Sequence, residues 1–172
     1  MTFVERMIGA AKLDPRVYEE VEADRSATPQ ALGVVVLASV AGGIGVGAGL
    51  RGLVVGTLGG LVGWAVWAWL IYFIGTRWLP EPDTRADFGE LLRTLGFATS
   101  PGILRVVGPV PVLGPIVFIV TLVWMLVAVI IAVRQALDYR STVRAVGVCL
   151  IGWLVQVVIL ALVFGIFARP VS

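Results

Sequence analysis

Four stretches of this chain carry no charged side chain over lengths that match a lipid bilayer. Ala31–Leu50 runs for 20 residues and Gly52–Gly75 for 24, and Ile116–Val133 and Ala145–Ala168 add two more. About 20 helical residues at about 1.5 Å each cross a hydrocarbon core roughly 30 Å thick. Lipid offers no hydrogen-bond partners, so each such stretch must satisfy its backbone internally, and the chain is predicted to be an all-α, polytopic membrane helical bundle. Composition agrees: 59% of residues are hydrophobic, mean hydropathy is +0.99, and 14% are charged, against about 25% in soluble domains.

Phe88–Gly108 (FGELLRTLGFATSPGILRVVG) decides the number of crossings. Its 21 residues would reach about 31 Å as a helix, enough to span. Glu90, Arg93 and Arg105 lie toward its ends, where long side chains snorkel to the headgroups. Pro101 removes a backbone donor and clashes with the carbonyl near Phe97, so this helix is predicted to be irregular and kinked there, with protein neighbours around it.

The distribution of Lys and Arg favours five spans over four. With five, and the N-terminus in the cytoplasm, ten basic residues fall inside against Arg51, Arg105 and Arg169 outside; with a dipping third segment the split is nine against four. The expectation is one membrane domain over 1–172, with residues 1–28 cytoplasmic and spans at about 30–50, 52–75, 88–107, 112–134 and 143–168. The protein is expected in the cell membrane with its C-terminus opposite its N-terminus. Residues 1–30 carry both signs of charge and no apolar core of signal-peptide length, so no cleaved leader is expected.

Before the first span, Phe3, Val4, Met7, Ile8 and Ala11 recur at helical spacing, describing an amphipathic helix for the membrane interface or for the end of the bundle. Asp14-Pro15 reads as an N-cap and first helical position, with Val17, Tyr18 and Val21 on one face of a second helix and Glu19, Glu20, Glu22 and Asp24 on the other. Thr28-Pro29 repeats the cap signal. Gly45/Gly49, Gly52/Gly56, Gly56/Gly60 and Gly59/Gly63 are each spaced by four, which predicts close helix packing within the subunit or, less simply, a homo-oligomer face.

No residue set for catalysis emerges. The chain contains no histidine, which excludes His-dependent triads and the HExxH zinc motif. GGIGVGAGLRG (Gly42–Gly52) sits in and beside an apolar run without a preceding strand, so it is not a dinucleotide loop. No metal, cofactor or catalytic residue is assigned and no enzyme is expected. The basic residues are scattered singly, which argues against nucleic acid. Cys149 is the single cysteine, so no internal disulfide forms. Glu90 and Arg93, three apart on one face, are either a boundary pair or a partner or headgroup contact. Trp64, Trp124 and Trp153 fall near mid-span, where core packing or an aromatic lipid groove is expected, with Thr57, Thr121 and Gln156 as polar neighbours.

Arg6–Asp24 (RMIGAAKLDPRVYEEVEAD), Ala86–Gly102 (ADFGELLRTLGFATSPG) and Trp124–Trp153 together resemble the prokaryotic branch of the Yip-one domain family, multipass proteins named for interaction with Ypt/Rab small GTPases. The resemblance covers nearly the whole chain. It implies five spans, a cytoplasmic N-terminus and no known catalytic activity. Of the Asp-Leu-Tyr-Gly-Pro motif that eukaryotic members carry, only Asp14 and Tyr18 are echoed, separated by Pro15, Arg16 and Val17. A small GTPase is therefore a partner by resemblance alone. The expected role is an organising or partner-binding module, contacting membrane lipid, another membrane protein or a second copy; the alternative is passage of lipid or small solutes, in the manner of a scramblase, channel or transporter.

Overall fold

The computed structural model describes residues 1–167. These form seven α-helices: α1 (Phe3–Ala11), α2 (Pro15–Ala23), α3 (Thr28–Gly45), α4 (Gly49–Phe73), α5 (Phe88–Phe97), α6 (Leu113–Ala136) and α7 (Thr142–Phe167). Four regions are long and apolar enough to cross a membrane: Arg25–Gly45, Gly49–Trp78, Leu113–Ala136 and Thr142–Ile159. The all-α membrane bundle expected from the apolar runs is the observed architecture. Ala168 and Arg169, where the last span was predicted to end, and Ser172 lie outside the described residues.

Local chemistry sets the helix starts. Thr2 and Glu5 form a capping box at α1, and the Asp14 carboxylate accepts from the Arg16 amide at α2 with Pro15 in the first turn. Thr28 departs from its predicted capping role. A short 3₁₀ turn, Arg25–Ala27, precedes it, Asp24 accepts from the Ser26 amide, and the Thr28 hydroxyl donates to the Arg25 carbonyl. The α3–α4 turn is tight because Gly47 and Gly49 take φ of +66° and +64°, values strained for residues with a Cβ.

The third apolar segment changes winding where a kink was predicted. The α-helix α5 stops at Phe97 and the chain continues as a 3₁₀-helix over Ser100–Val107, with Pro101 in its first turn. Pro101 has no N–H for the Phe97 carbonyl. The Ser100 hydroxyl donates to that carbonyl instead, at 2.6 Å, and the Thr99 hydroxyl donates to the Gly96 carbonyl at 2.7 Å. The acceptor freed at Phe97 is thus satisfied without water, and the Gly96 carbonyl, which also accepts from the Thr99 amide at 3.1 Å, gains a second donor.

This segment runs beside α3, in the same direction, over most of α3's length. Gly96 abuts Ala31, Gly102 abuts Ala38, and the backbones of Gly108 and Gly45 touch. A ten-residue α-helix and an eight-residue 3₁₀-helix together reach about 31 Å. The turn after it, with Gly108 packed on Gly114, feeds α6 back toward the N-terminal helices, where Gln135 donates to Glu19 at 2.8 Å. Tyr139 then donates to the carbonyls of Gly75 and Leu79, and Arg144 to that of Pro80, fastening the start of α7 to the end of α4.

The densest core lies at the N-terminal-helix end. Tyr18, Ile71, Ile74, Leu91, Leu95, Phe97 and Leu137 are fully buried there, whereas Leu58, Val62, Leu122 and Leu126 on the long helices face outward, as lipid-facing positions do.

Candidate functional site

Two polar regions stand out, one at each end of the bundle. At the first, α1 and α2 form a platform held by donors reaching their last carbonyls. Helix C-termini leave carbonyls without intrahelical partners. At α1, the buried Tyr18 hydroxyl donates to Ala10 at 3.1 Å and the Trp124 indole N–H donates to Ala11 at 2.7 Å. At α2, Arg93 Nε reaches the carbonyls of Val21 and Glu22, each at 3.1 Å. Because α2 has no basic residue in its own last turn, Arg93 of α5 supplies the positive charge its dipole favours.

Arg6 is the platform's second buried guanidinium, although it lies outside the apolar stripe of α1. It pairs with Glu20 at 2.9 Å and Asp24 at 2.6 Å and donates to Gln30 at 2.9 Å. Burial of this arginine is tolerable because three acceptors converge on its fork. Hydrogen bonds from Ser26, then Arg6, hold the Asp24 carboxyl down at about 2. The amphipathic helix α1 docks on the bundle through Phe3, which packs edge-on against Phe97 at 6.4 Å, while Val4 and Ile8 are exposed.

Between α2 and the end of α6 lies a cavity of about 340 Å³ bordered by Glu19, Glu22, Arg134, Gln135, Asp138 and Tyr139. Burial pushes the Glu22 carboxyl up to about 8, with the Asp138 and Glu90 carboxylates adding to the effect.

The residues singled out by sequence have separate fates. Asp14 caps α2 and pairs with the exposed Arg16 at 2.8 Å. Tyr18 points into the core. Glu90 closes a capping box with Asp87 at the start of α5, so its carboxylate and the Arg93 guanidinium have different partners. Trp64 donates to the Leu92 carbonyl at 3.1 Å and Trp124 to α1, so neither indole N–H is left for a ligand. Trp153 is exposed on α7. The three tryptophans do not gather into one pocket.

At the opposite end sits a residue the sequence reading treated as a span terminus, Arg105. Its Nε donates to the Thr121 hydroxyl at 3.0 Å and its guanidinium carbon lies 4.8 Å from the Phe118 ring centre. No carboxylate pairs with it among the described residues. Three cavities, of about 190, 540 and 620 Å³, meet at this side chain. The glycine spacing has a divided outcome here. Gly60 packs on Ser39, but Gly56 and Gly63 have nothing within 4 Å of their Cβ positions and floor the 540 Å³ groove. The signal that could have flagged Arg105 was the absence of any acidic residue near this end of the chain's spans.

No curated protein matches the chain, and no solved structure does. The model of the Yip1 domain matches residues 24–164, from the ion-paired Asp24 through all four long apolar helices and the third segment between them. On that match the chain belongs to the Yip1 domain family of membrane proteins.

Proposed function

We propose that this protein is a non-enzymatic organising module of the cell membrane that docks a partner on its α1–α2 platform. One observation carries the reading: two buried arginines and two aromatic donors fix the platform rigidly to the bundle, beside a cavity where the Glu19 and Asp138 carboxylates can meet a basic partner. Rigid presentation reduces the ordering cost of association. The platform end holds all eleven carboxylates and most of the basic residues, which supports a cytoplasmic N-terminus. The third segment's course beside α3 supports five crossings, with the C-terminus on the opposite side. Family resemblance makes a small GTPase one partner to test; with Tyr18 buried and Asp14 occupied as a cap, contact would fall on the acidic face instead.

Photo-crosslinking from position 19 in intact cells tests this. A discrete protein adduct, lost when Glu22 and Asp138 are both changed to Lys, is the expected result; adducts to lipid alone would sink it. Reporter fusions at residues 1 and 172 test the five crossings, which predict opposite compartments. A second reading, passage of lipid or small solutes, draws on the glycine-floored groove. Liposomes containing the protein that move neither labelled lipid nor small solutes would remove it.

A further inference from the structure

We propose that Arg105 is the headgroup contact of a binding site for a two-chain anionic phospholipid, in the leaflet opposite the N-terminal platform. Position comes first. Thr121, which holds the guanidinium, lies eight residues into α6, about 12 Å along its axis. A guanidinium at such depth costs several kcal/mol unless a counter-charge or water meets it. Thr121 and the Phe118 ring engage one edge and one face of the fork, and the terminal nitrogens have no hydrogen-bond partner among the described residues, nor are they sealed from the surrounding space. They remain free to bind a phosphate through paired N–H bonds.

Shape comes second. Arg105 alone borders all three cavities that meet there. The smallest, about 190 Å³, lies toward the end of the bundle beside the close-packed backbones of Gly45, Gly108 and Gly114, bordered also by Gly42, Val46 and Pro115, and is the space for a headgroup. The other two lead along the helices. One, about 540 Å³, is floored by Gly52, Gly56, Gly60 and Gly63 of α4. The other, about 620 Å³, is a furrow of α6 and α7 bordered by Leu122, Leu126, Leu150 and Trp153. Both are of the size that holds small ligands. Trp67, Met125 and Val129 border both and form the ridge between them. One charged point with two apolar channels diverging from it matches a phosphate with two acyl chains.

Charge comes third. None of the chain's eleven acidic residues lies at this end, where Arg51 and Arg105 are the charges within the described residues. An anionic headgroup meets no repulsion there, whereas a zwitterionic one brings a cation beside a cation. The proposal concerns the far end of the bundle and stands whether or not the platform docks a partner.

The test uses the full chain in neutral detergent, with bound lipid read by native mass spectrometry. Phosphatidylglycerol is compared with phosphatidylcholine of the same chains, with single-chain lysophosphatidylglycerol and with inorganic phosphate. The wild type is expected to retain phosphatidylglycerol at least about tenfold better than phosphatidylcholine, because both carry the phosphate but only the second brings a cation up to the guanidinium. Arg105→Gln should erase that preference and Arg105→Lys should keep part of it. Gly56→Leu, placed where nothing stands within 4 Å, should weaken the two-chain lipid and spare the single-chain one. Equal retention of the two headgroups by the wild type, or an unchanged preference in Arg105→Gln, overturns the proposal. Inorganic phosphate displacing the lipid at equal concentration would overturn the two-chain assignment. If Arg105→Gln fails to fold, Arg105→Lys and Gly56→Leu decide: wild-type lipid selectivity in both overturns it.

Discussion

Arg93 and Glu22, 71 positions apart in sequence, meet where the Arg93 guanidinium donates to the Glu22 backbone carbonyl. Through this contact the last turn of a peripheral helix is closed by a residue of the bundle. Replacing Arg93 with Met would leave the Val21 and Glu22 carbonyls without their donor, at a cost of about 2 to 3 kcal/mol. Limited trypsin digestion should then cut faster after Arg25, at the platform's joint, with slower change in the long helices. An unchanged cleavage rate would show that the platform is held by other contacts.

The glycines divide into two groups with opposite expected responses. A Cβ at Gly108 would collide with the backbone of Gly45, so Gly108→Ala should destabilise by about 1 to 3 kcal/mol. Gly59→Ala meets nothing within 4 Å and should stabilise α4 by about 0.5 to 1 kcal/mol through helix propensity. Unfolding midpoints of the two variants in one detergent check the contrast; movement in the same direction would contradict it.

Glu22 gives a pH dependence of defined sign. In the folded chain its carboxyl holds a proton up to about pH 8, whereas unfolding returns it to about 4.5. The folded state therefore binds more protons across that window, and its stability falls as pH rises from about 4.5 through 8. Glu22→Gln should flatten this decline and gain most over the wild type above pH 8. Asp24, held at about 2, acts in the other direction, its contribution fading only as pH falls from 3.8 through that value. Equal pH slopes for Glu22→Gln and the wild type between pH 5 and 8 would exclude the assignment.

Trp124 and Trp153 of the mid-span trio should behave differently. Trp124→Phe keeps a ring and loses the hydrogen bond to Ala11, which should cost about 1 kcal/mol. Trp153→Phe, on an exposed position with no such bond, should leave the unfolding midpoint within the scatter of the measurement.

The architecture was largely legible because it follows from one-dimensional signals. Charge-free runs set the long helices, and Asp14-Pro15 and the Val17, Tyr18, Val21 face set α2. What escaped depends on which distant groups come together. Arg6 lies off the apolar stripe of α1, and helical periodicity cannot show that Glu20, Asp24 and Gln30 converge on it. Arg93 looked paired with Glu90 because the two are three residues apart, yet Glu90 closes its own helix cap. Pro101 predicts a kink in a continuing helix; the chain instead changes to a tighter winding over Ser100–Val107, with the hydroxyls of Thr99 and Ser100 donating to the carbonyls before it. The 540 Å³ groove at Arg105 includes Gly56 and Gly63, which stay apart from neighbouring helices although spacing alone predicted contact for them.

The tighter winding after Ser100 also aims a side chain. A 3₁₀-helix advances about 120° per residue and an α-helix about 100°, so the five steps from Ser100 to Arg105 accumulate about 100° of extra rotation. Rewound as an α-helix, the same residues would swing the guanidinium away from Thr121 by more than a quarter of a circle. A single imino acid four positions upstream therefore acts as the compass bearing for the guanidinium on which the three cavities converge.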